Sequence, residues 1–176
     1  MAVFEVDQSG KWEHTGNTAI GVAGAKEFAL LVPSNVRQRV QKRIGNYYQE
    51  KDRAKSTHHI RMFTYCLFLA LRKVIRRRDV VIIDEEYDGQ GDRIRDLLLH
   101  LFERFEEKLD LKDVRFARVG RQCRAHAVAK QTFLGVRVPE IVAGESDFYN
   151  LLDKTAELRQ RAFEERMRRK LKKKAW

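Results

Sequence analysis

The chain has 176 residues, 43% of them hydrophobic, which suffices for one folded domain with a substantial core and excludes disorder throughout. Lysine and arginine number 36 against 25 acidic residues, and the formal net charge of +11 favours a polyanionic partner such as DNA, RNA or an acidic membrane surface. The two cysteines form no Cys-x-x-Cys pair, so a cysteine-based zinc site is unsupported and a reduced, cytoplasmic protein is expected.

No segment of the sequence predicts membrane insertion. The first ten residues include Glu5 and Asp7 and lack the apolar core of a signal peptide. The longest apolar run, residues 62–71, is about half of the ~20 residues that cross a bilayer. We therefore expect this run to be a buried helix and the protein to have no membrane partner.

The first third of the chain predicts three short strands. Residues 3–6 are β-prone, residues 18–23 form a second apolar run, and residues 27–32 form a third. Their short separations favour an antiparallel meander. Pro33 breaks the third strand, and Ser34 or Asn35 can begin the first helix.

Helices and strands alternate after the meander, as the periodicity of apolar residues indicates. The predicted elements are a helix with the apolar face Val36, Val40, Ile44 and Tyr48, a mostly apolar helix over residues 58–76, a strand over residues 79–83, a helix with an apolar stripe over residues 94–105, a strand over residues 114–119, and a short helix over residues 124–133.

The order β-β-β-α-β-α-β-α predicts an α/β fold with one mixed five-stranded sheet and helices on both faces. We assign residues 1–144 to this domain. A linker through Pro139 and Gly144 leads to residues 145–176, which we predict to be a basic C-terminal helical extension.

Acidic residues stand at the ends of two predicted strands. Asp7 follows the first strand, and Asp84, Glu85 and Glu86 follow the fourth. The order of elements over residues 1–135 and the positions of these acids together resemble those of the RNase H-like superfamily. This superfamily includes ribonucleases H, Holliday-junction resolvases, transposases and integrases. The resemblance implies that the two strands are neighbours at the sheet centre and that Asp7 faces Asp84.

The resemblance also implies a metal-dependent nuclease with Mg²⁺ or Mn²⁺ as cofactor. Close carboxylates repel each other unless cations intervene, and Mg²⁺ prefers oxygen ligands. Two ions about 3.5–4 Å apart can stabilise the attacking water and the leaving oxygen of a phosphodiester. Asp7 would bridge the ions and Asp84 would hold one. Strand alternation favours Glu86 over Glu85 as an auxiliary ligand.

The last expected ligand lies on the helix after the fifth strand. Ribonucleases H carry an Arg-Ala-Asp-like segment there, and this chain has Arg124, Ala125 and His126. Some resolvase-type members are similar in using a His at this place. A neutral imidazole could bind Mn²⁺ or transfer a proton near neutral pH. Ribonucleases H place a catalytic Glu in the first long helix. Here the only Glu of that helix is Glu50, near its far end, and this departure favours the resolvase-like arrangement.

Ordinary structural roles would also explain these residues. Asp7 could pair with a buried arginine, and Asp84 could cap a loop or helix. A single His such as His126 is more often a surface or core residue than a ligand. The coincidence of Asp7 and Asp84 on adjacent strands favours the metal site.

Basic residues form two candidate nucleic-acid surfaces. Those predicted near the site are Arg37, Arg39, Lys42, Arg43, Arg121, Arg124 and Lys130, and those on the C-terminal tail include Arg168, Arg169, Lys172 and Lys173. The tail could instead be a solvated helix or an amphipathic helix for a membrane or protein partner.

Three functions remain open from the sequence. The leading one is a nuclease acting on DNA, RNA or a hybrid. The second is a non-catalytic nucleic-acid-binding protein on the same fold. The third is an interaction protein whose C-terminal helix pairs with a partner or, in a homodimer, with its own copy.

Overall fold

A computed structural model describes residues 1–49, 58–76, 78–105, 113–120 and 122–152, with only the backbone described for residues 44–49. The described chain is an α/β fold with one mixed sheet, as predicted. The strands are β1 (Val3–Ser9), β2 (Thr18–Ala23), β3 (Glu27–Val32), β4 (Val80–Asp84), β5 (Val114–Ala117) and β6 (Ile141–Val142). The helices are α1 (Ser34–Gln49), α2 (His58–Leu71), α3 (Gly91–Arg104), α4 (Arg124–Phe133) and α5, described over residues 145–152.

The sheet has the strand order β5-β4-β1-β2-β3-β6. The strands β1, β2 and β3 form the predicted antiparallel meander. The fourth strand lies parallel to β1, and β5 lies parallel to β4. The strands that carry the predicted acids, β1 and β4, are therefore neighbours in the interior of the sheet.

The prediction of five strands is wrong, because the described residues form a sheet of six strands. Ile141 and Val142 form β6, which pairs with Leu30 and Leu31 of β3 inside the segment that we had predicted to be a linker. The backbone N–H of Ala143 donates to the carbonyl of Leu31 at 2.8 Å. A two-residue strand is too short to show an apolar period, so pattern reasoning could not detect it.

Close packing of α4 on β2 depends on Gly21. All six residues of β2 are buried, so both faces of the strand are covered. A Cβ atom on Gly21 would lie 2.3 Å from the carbonyl oxygen of Ala125 and 2.5 Å from the backbone nitrogen of Ala129. Since Gly21 pairs with Asp7 across β1 and β2, this contact sets the start of α4 beside Asp7.

Helices cover the opposite face of the sheet as well. The largely buried helix α2 contacts β2 and β3. Gln8 points away from the face of Asp7, because neighbouring side chains of a strand alternate. Its side chain contacts the hydroxyl of Tyr87, whose ring stacks on His59 of α2. The predicted helices on both faces are therefore present.

The chain divides into two units, Met1–Ala143 and Gly144–Trp176. The sheet and helices α1 to α4 belong to the first unit, and α5 belongs to the second. The predicted basic extension beyond residue 152 lies outside the described residues. Within the described ranges, no helix has both the length and the apolar character that crossing a bilayer requires.

Candidate metal centre

Asp7 and Asp84 meet at the carboxyl ends of two parallel strands. The register pairs Val6 with Ile83, so the next residue on each strand is one of the two acids. Asp7 is only 4% exposed, whereas Asp84 is half-buried at the last position of β4. The strand order thus brings together two carboxylates that are far apart in the sequence.

Glu86 completes a group of three carboxylates. One oxygen from each of Asp7, Asp84 and Glu86 can be chosen so that all three lie within 4.8 Å of one another. Strand β4 ends at Asp84, and the backbone N–H of Glu86 donates to the carbonyl of Asp84 at 2.9 Å. A tight turn, rather than the strand alternation that we assumed, therefore positions Glu86. Glu85 is exposed and does not belong to the group.

The loop after β5 orients Asp84. The backbone N–H of Val119 donates to Oδ1 of Asp84 at 2.7 Å. This donor belongs to the backbone, so its position is fixed by the path of the loop. The loop after β5 is therefore part of the site, although it supplies no acid of its own.

His126 holds Asp7 in place. Its Nδ1 lies 2.7 Å from Oδ2 of Asp7, and its backbone N–H donates to Sγ of Cys123 at the start of α4. Among the described residues, His126 lies outside the group of mutually close ligand atoms. With Nδ1 bound to Asp7, the ring could reach a cation only through Nε2. The structure therefore places His126 as an orienting partner of Asp7, a role that metal sites commonly require.

Burial and neighbouring carboxylates make Asp7 and Glu86 difficult to ionise. Burial is the main reason why the pKa of Asp7 is raised, and Asp84 adds to the rise while the hydrogen bond from His126 opposes it. Burial also raises the pKa of Glu86, with further contributions from Asp7 and Asp84 and an opposing one from Lys11. A bound cation would relieve this repulsion.

Lys11 is the site residue that sequence reasoning missed. Its Nζ lies 3.0 Å from Oε2 of Glu86 and donates to the backbone carbonyl of Glu86 at 3.1 Å. The only signal in the sequence is its position in the turn just after the strand that carries Asp7. Such a turn reveals nothing about a partner 75 residues away.

The predicted basic residues have diverse positions. Arg37 is 3% exposed, its Nη1 donates to the carbonyl of Lys11 at 3.2 Å, and burial lowers its pKa, which argues against a surface contact with phosphate. Arg124 is exposed but pairs with Glu27 at 2.9 Å. The other predicted basic residues that are exposed are Arg39, Lys42, Arg43 and Lys130. Outside the described residues lie the remaining predicted basic residues, Arg121, Arg168, Arg169, Lys172 and Lys173, and also the helix acid Glu50.

The three carboxylates fit a hard divalent cation. Mg²⁺ and Mn²⁺ prefer oxygen ligands, and Mg²⁺ is usually bound by few carboxylates with the remaining positions left to water and substrate phosphate. The group of Asp7, Asp84 and Glu86 offers such oxygen ligands toward the carboxyl ends of two interior strands. Its half-buried members leave an approach from solvent.

Substitution of His126 tests its orienting role. We expect His126→Ala to weaken Mn²⁺ binding by about 10- to 100-fold, because the Asp7 carboxylate would lose the partner that fixes its direction. Isothermal titration calorimetry with Mn²⁺ measures this change. His100→Ala, at an exposed position of α3, is the matched control and should bind as the wild type does. Equal affinities for His126→Ala and the wild type would contradict the role.

Comparisons with known proteins add no functional assignment to this geometry. No family model matches the chain, and no curated protein matches it.

Proposed function

We propose that the chain is a nuclease that hydrolyses phosphodiester bonds in DNA or RNA with the help of Mg²⁺ or Mn²⁺. The observation that carries the proposal is the convergence of Asp7, Asp84 and Glu86 within 4.8 Å at the carboxyl ends of two neighbouring parallel strands. We call this group of three carboxylates the acidic pocket. A net charge of +11 on the chain that carries it favours a polyanionic substrate.

The sheet topology supports an RNase H-like fold for this nuclease. An antiparallel meander is followed by two parallel strands, and the first and fourth strands are neighbours in the sheet interior, as the resemblance implies. The sixth strand then extends this arrangement at the edge of β3. We infer the RNase H-like fold from this order and from the acids on β1 and β4.

Each residue of the pocket has a distinct part in the proposed reaction. Asp7, Asp84 and Glu86 would bind the cation, which when bound activates water and stabilises charge on the phosphate. His126 keeps Asp7 in position through Nδ1, and the amide of Val119 does the same for Asp84. The parallel strands fix Asp7 and Asp84, and the turn after β4 fixes Glu86, so little reorganisation is needed when substrate arrives.

A non-catalytic nucleic-acid-binding protein is the second candidate. It is favoured by the partners that two of the acids already have, since Asp7 contacts His126 and Glu86 pairs with Lys11. In that case the carboxylates would be satisfied structurally, and the surplus of basic residues would bind phosphates without cleavage.

A cleavage panel separates the two candidates. The full chain is incubated with single-stranded, duplex, hybrid and four-way-junction substrates in Mg²⁺, Mn²⁺ or chelator. The nuclease proposal predicts cleavage of at least one substrate with a cation and none with the chelator. Asp84→Asn protein, purified in the same way, controls for contaminating nucleases. Salt-sensitive binding of these substrates without any cleavage would favour the second candidate.

A further inference from the structure

The turn after β1 places Lys11 beside the pocket. Gly10 has φ +78°, which favours glycine, and a Cβ atom on it would lie 2.3 Å from the carbonyl oxygen of Asn17. This turn directs the chain after β1 back toward the end of β4, where Nζ of Lys11 contacts Glu86 through both a side-chain oxygen and the backbone carbonyl. The turn therefore sets the backbone position of Lys11, and the two contacts with Glu86 direct its ammonium.

An aromatic residue supports the lysine from the side. Nζ of Lys11 lies 5.6 Å from the ring centroid of Tyr87, within the range of a cation–π contact. Tyr87 is 9% exposed, and its hydroxyl lies 3.5 Å from Gln8 and 3.4 Å from Glu13. Its ring packs on Phe63 at 5.2 Å between centroids. The lysine side chain nevertheless remains 41% exposed, so the ammonium can still meet a ligand from solvent.

Before substrate binds, the formal charge of the pocket matches one divalent cation rather than two. Three ionised carboxylates and one ammonium carry a formal charge of −2, which a single Mg²⁺ or Mn²⁺ neutralises. A second divalent cation would leave the pocket with a charge of +2. An ammonium is a compact charge with three donors, and the described contacts with Glu86 use two of them.

We propose that the pocket takes one divalent cation before substrate binds and that Lys11, held by Glu86, supplies the second positive charge and donates to a phosphate oxygen of the substrate. This inference rests on the proposed nuclease function and replaces the two-ion arrangement expected from the sequence. It assigns to Lys11 a role in binding the substrate phosphate at the same pocket.

Mn²⁺ titration of the full chain tests the inference without relying on activity. The wild type is expected to bind one Mn²⁺ per chain at the site. Lys11→Gln is expected to bind Mn²⁺ at least about tenfold more tightly, because the competing charge beside the carboxylates is gone. Lys11→Arg retains the charge and should bind as the wild type does. Lys26→Gln makes the same charge change at the opposite end of the sheet, in the turn between β2 and β3, and should leave the affinity unchanged.

The Lys11→Gln variant is expected to cleave more slowly at saturating Mn²⁺, although it binds the ion more tightly. Lys11→Gln should cleave about 100-fold more slowly than the wild type, since a donor to the reacting phosphate is lost. A merely structural role would weaken Mn²⁺ binding and cleavage together. Binding of two Mn²⁺ per chain by the wild type, or weaker Mn²⁺ binding by Lys11→Gln, would overturn the role of Lys11 and leave the nuclease proposal standing. Absence of both Mn²⁺ binding and cleavage in the wild type would overturn the nuclease proposal, and the role of Lys11 with it.

Discussion

Asp7→Asn and Asp84→Asn are each expected to slow metal-dependent cleavage by at least about 100-fold, because each removes a charged ligand from the pocket, and even loss of a ligand's partner commonly costs 10- to 100-fold. Initial rates with the best substrate of the cleavage panel, at saturating Mg²⁺ or Mn²⁺, measure the effect. Asp92→Asn is the matched control, since Asp92 lies on the first turn of α3 with its side chain 93% exposed. Wild-type rates in both pocket variants would refute the proposed chemistry.

The same Asp7→Asn variant should be slightly more stable than the wild type in chelator. Burial raises the pKa of Asp7, so the folded protein holds this proton to higher pH than the unfolded chain does. The contribution of this group to stability therefore falls as pH rises from the unfolded pKa through the folded one, and at neutral pH its ionisation opposes folding. The amide of Asn keeps an acceptor for His126 and carries no charge. We expect a gain of about 1 kcal/mol, typical of relieving an unfavourable functional site, and a higher melting temperature. A lower melting temperature would show that Asp7 serves the fold more than the site.

Gly21→Ala is expected to destabilise the protein most among the changes considered, by about 3 kcal/mol or about 10 °C in melting temperature. The added Cβ would lie 2.3 Å and 2.5 Å from backbone atoms of α4, and backbone cannot move aside as a flexible side chain can. Thermal unfolding in chelator measures the loss. Gly144→Ala is the control, because a Cβ there meets its nearest atoms only at 3.8 Å.

The Gly21 variant should also lose metal affinity if it remains folded. Pushing α4 away from β2 would separate His126 from Asp7, since Gly21 and Asp7 are paired across the two strands. Mn²⁺ binding should then weaken as it does in His126→Ala. An unchanged melting temperature would mean that α4 does not pack against β2 at this glycine.

Local patterns in the sequence predicted most of the sheet. The short separations between residues 3 and 32 predicted the meander, and the continuous apolar run before Asp84 predicted an interior strand, which β4 is. The two-residue strand β6 escaped detection because its place depends on hydrogen bonds with β3 rather than on its own sequence. Strand order and register are long-range properties, which local periodicity alone does not determine.

The candidate site was predicted only in part, for related reasons. The resemblance pointed to Asp7 and Asp84, and the parallel register of β1 and β4 places them together. Glu86 was chosen on strand alternation, although a turn positions it. Lys11 and the direction of the His126 ring depend on contacts between residues far apart in the chain. Such contacts form only when turns and helix packing fix the backbone, so no short sequence motif predicts them.

The parallel pairing of β1 with β4 has a consequence for how the pocket assembles. Two parallel neighbours cannot be joined by a hairpin, and here the intervening chain runs from Ser9 to Val80. Closing so long a loop costs chain entropy, and pairing these two strands raises the contact order of the fold, which slows folding. A nascent chain that stops before Asp84 cannot assemble the pocket, and one that stops before α4 lacks the hold of His126 on Asp7. Cation binding would therefore report that nearly the whole first unit has been synthesised and folded.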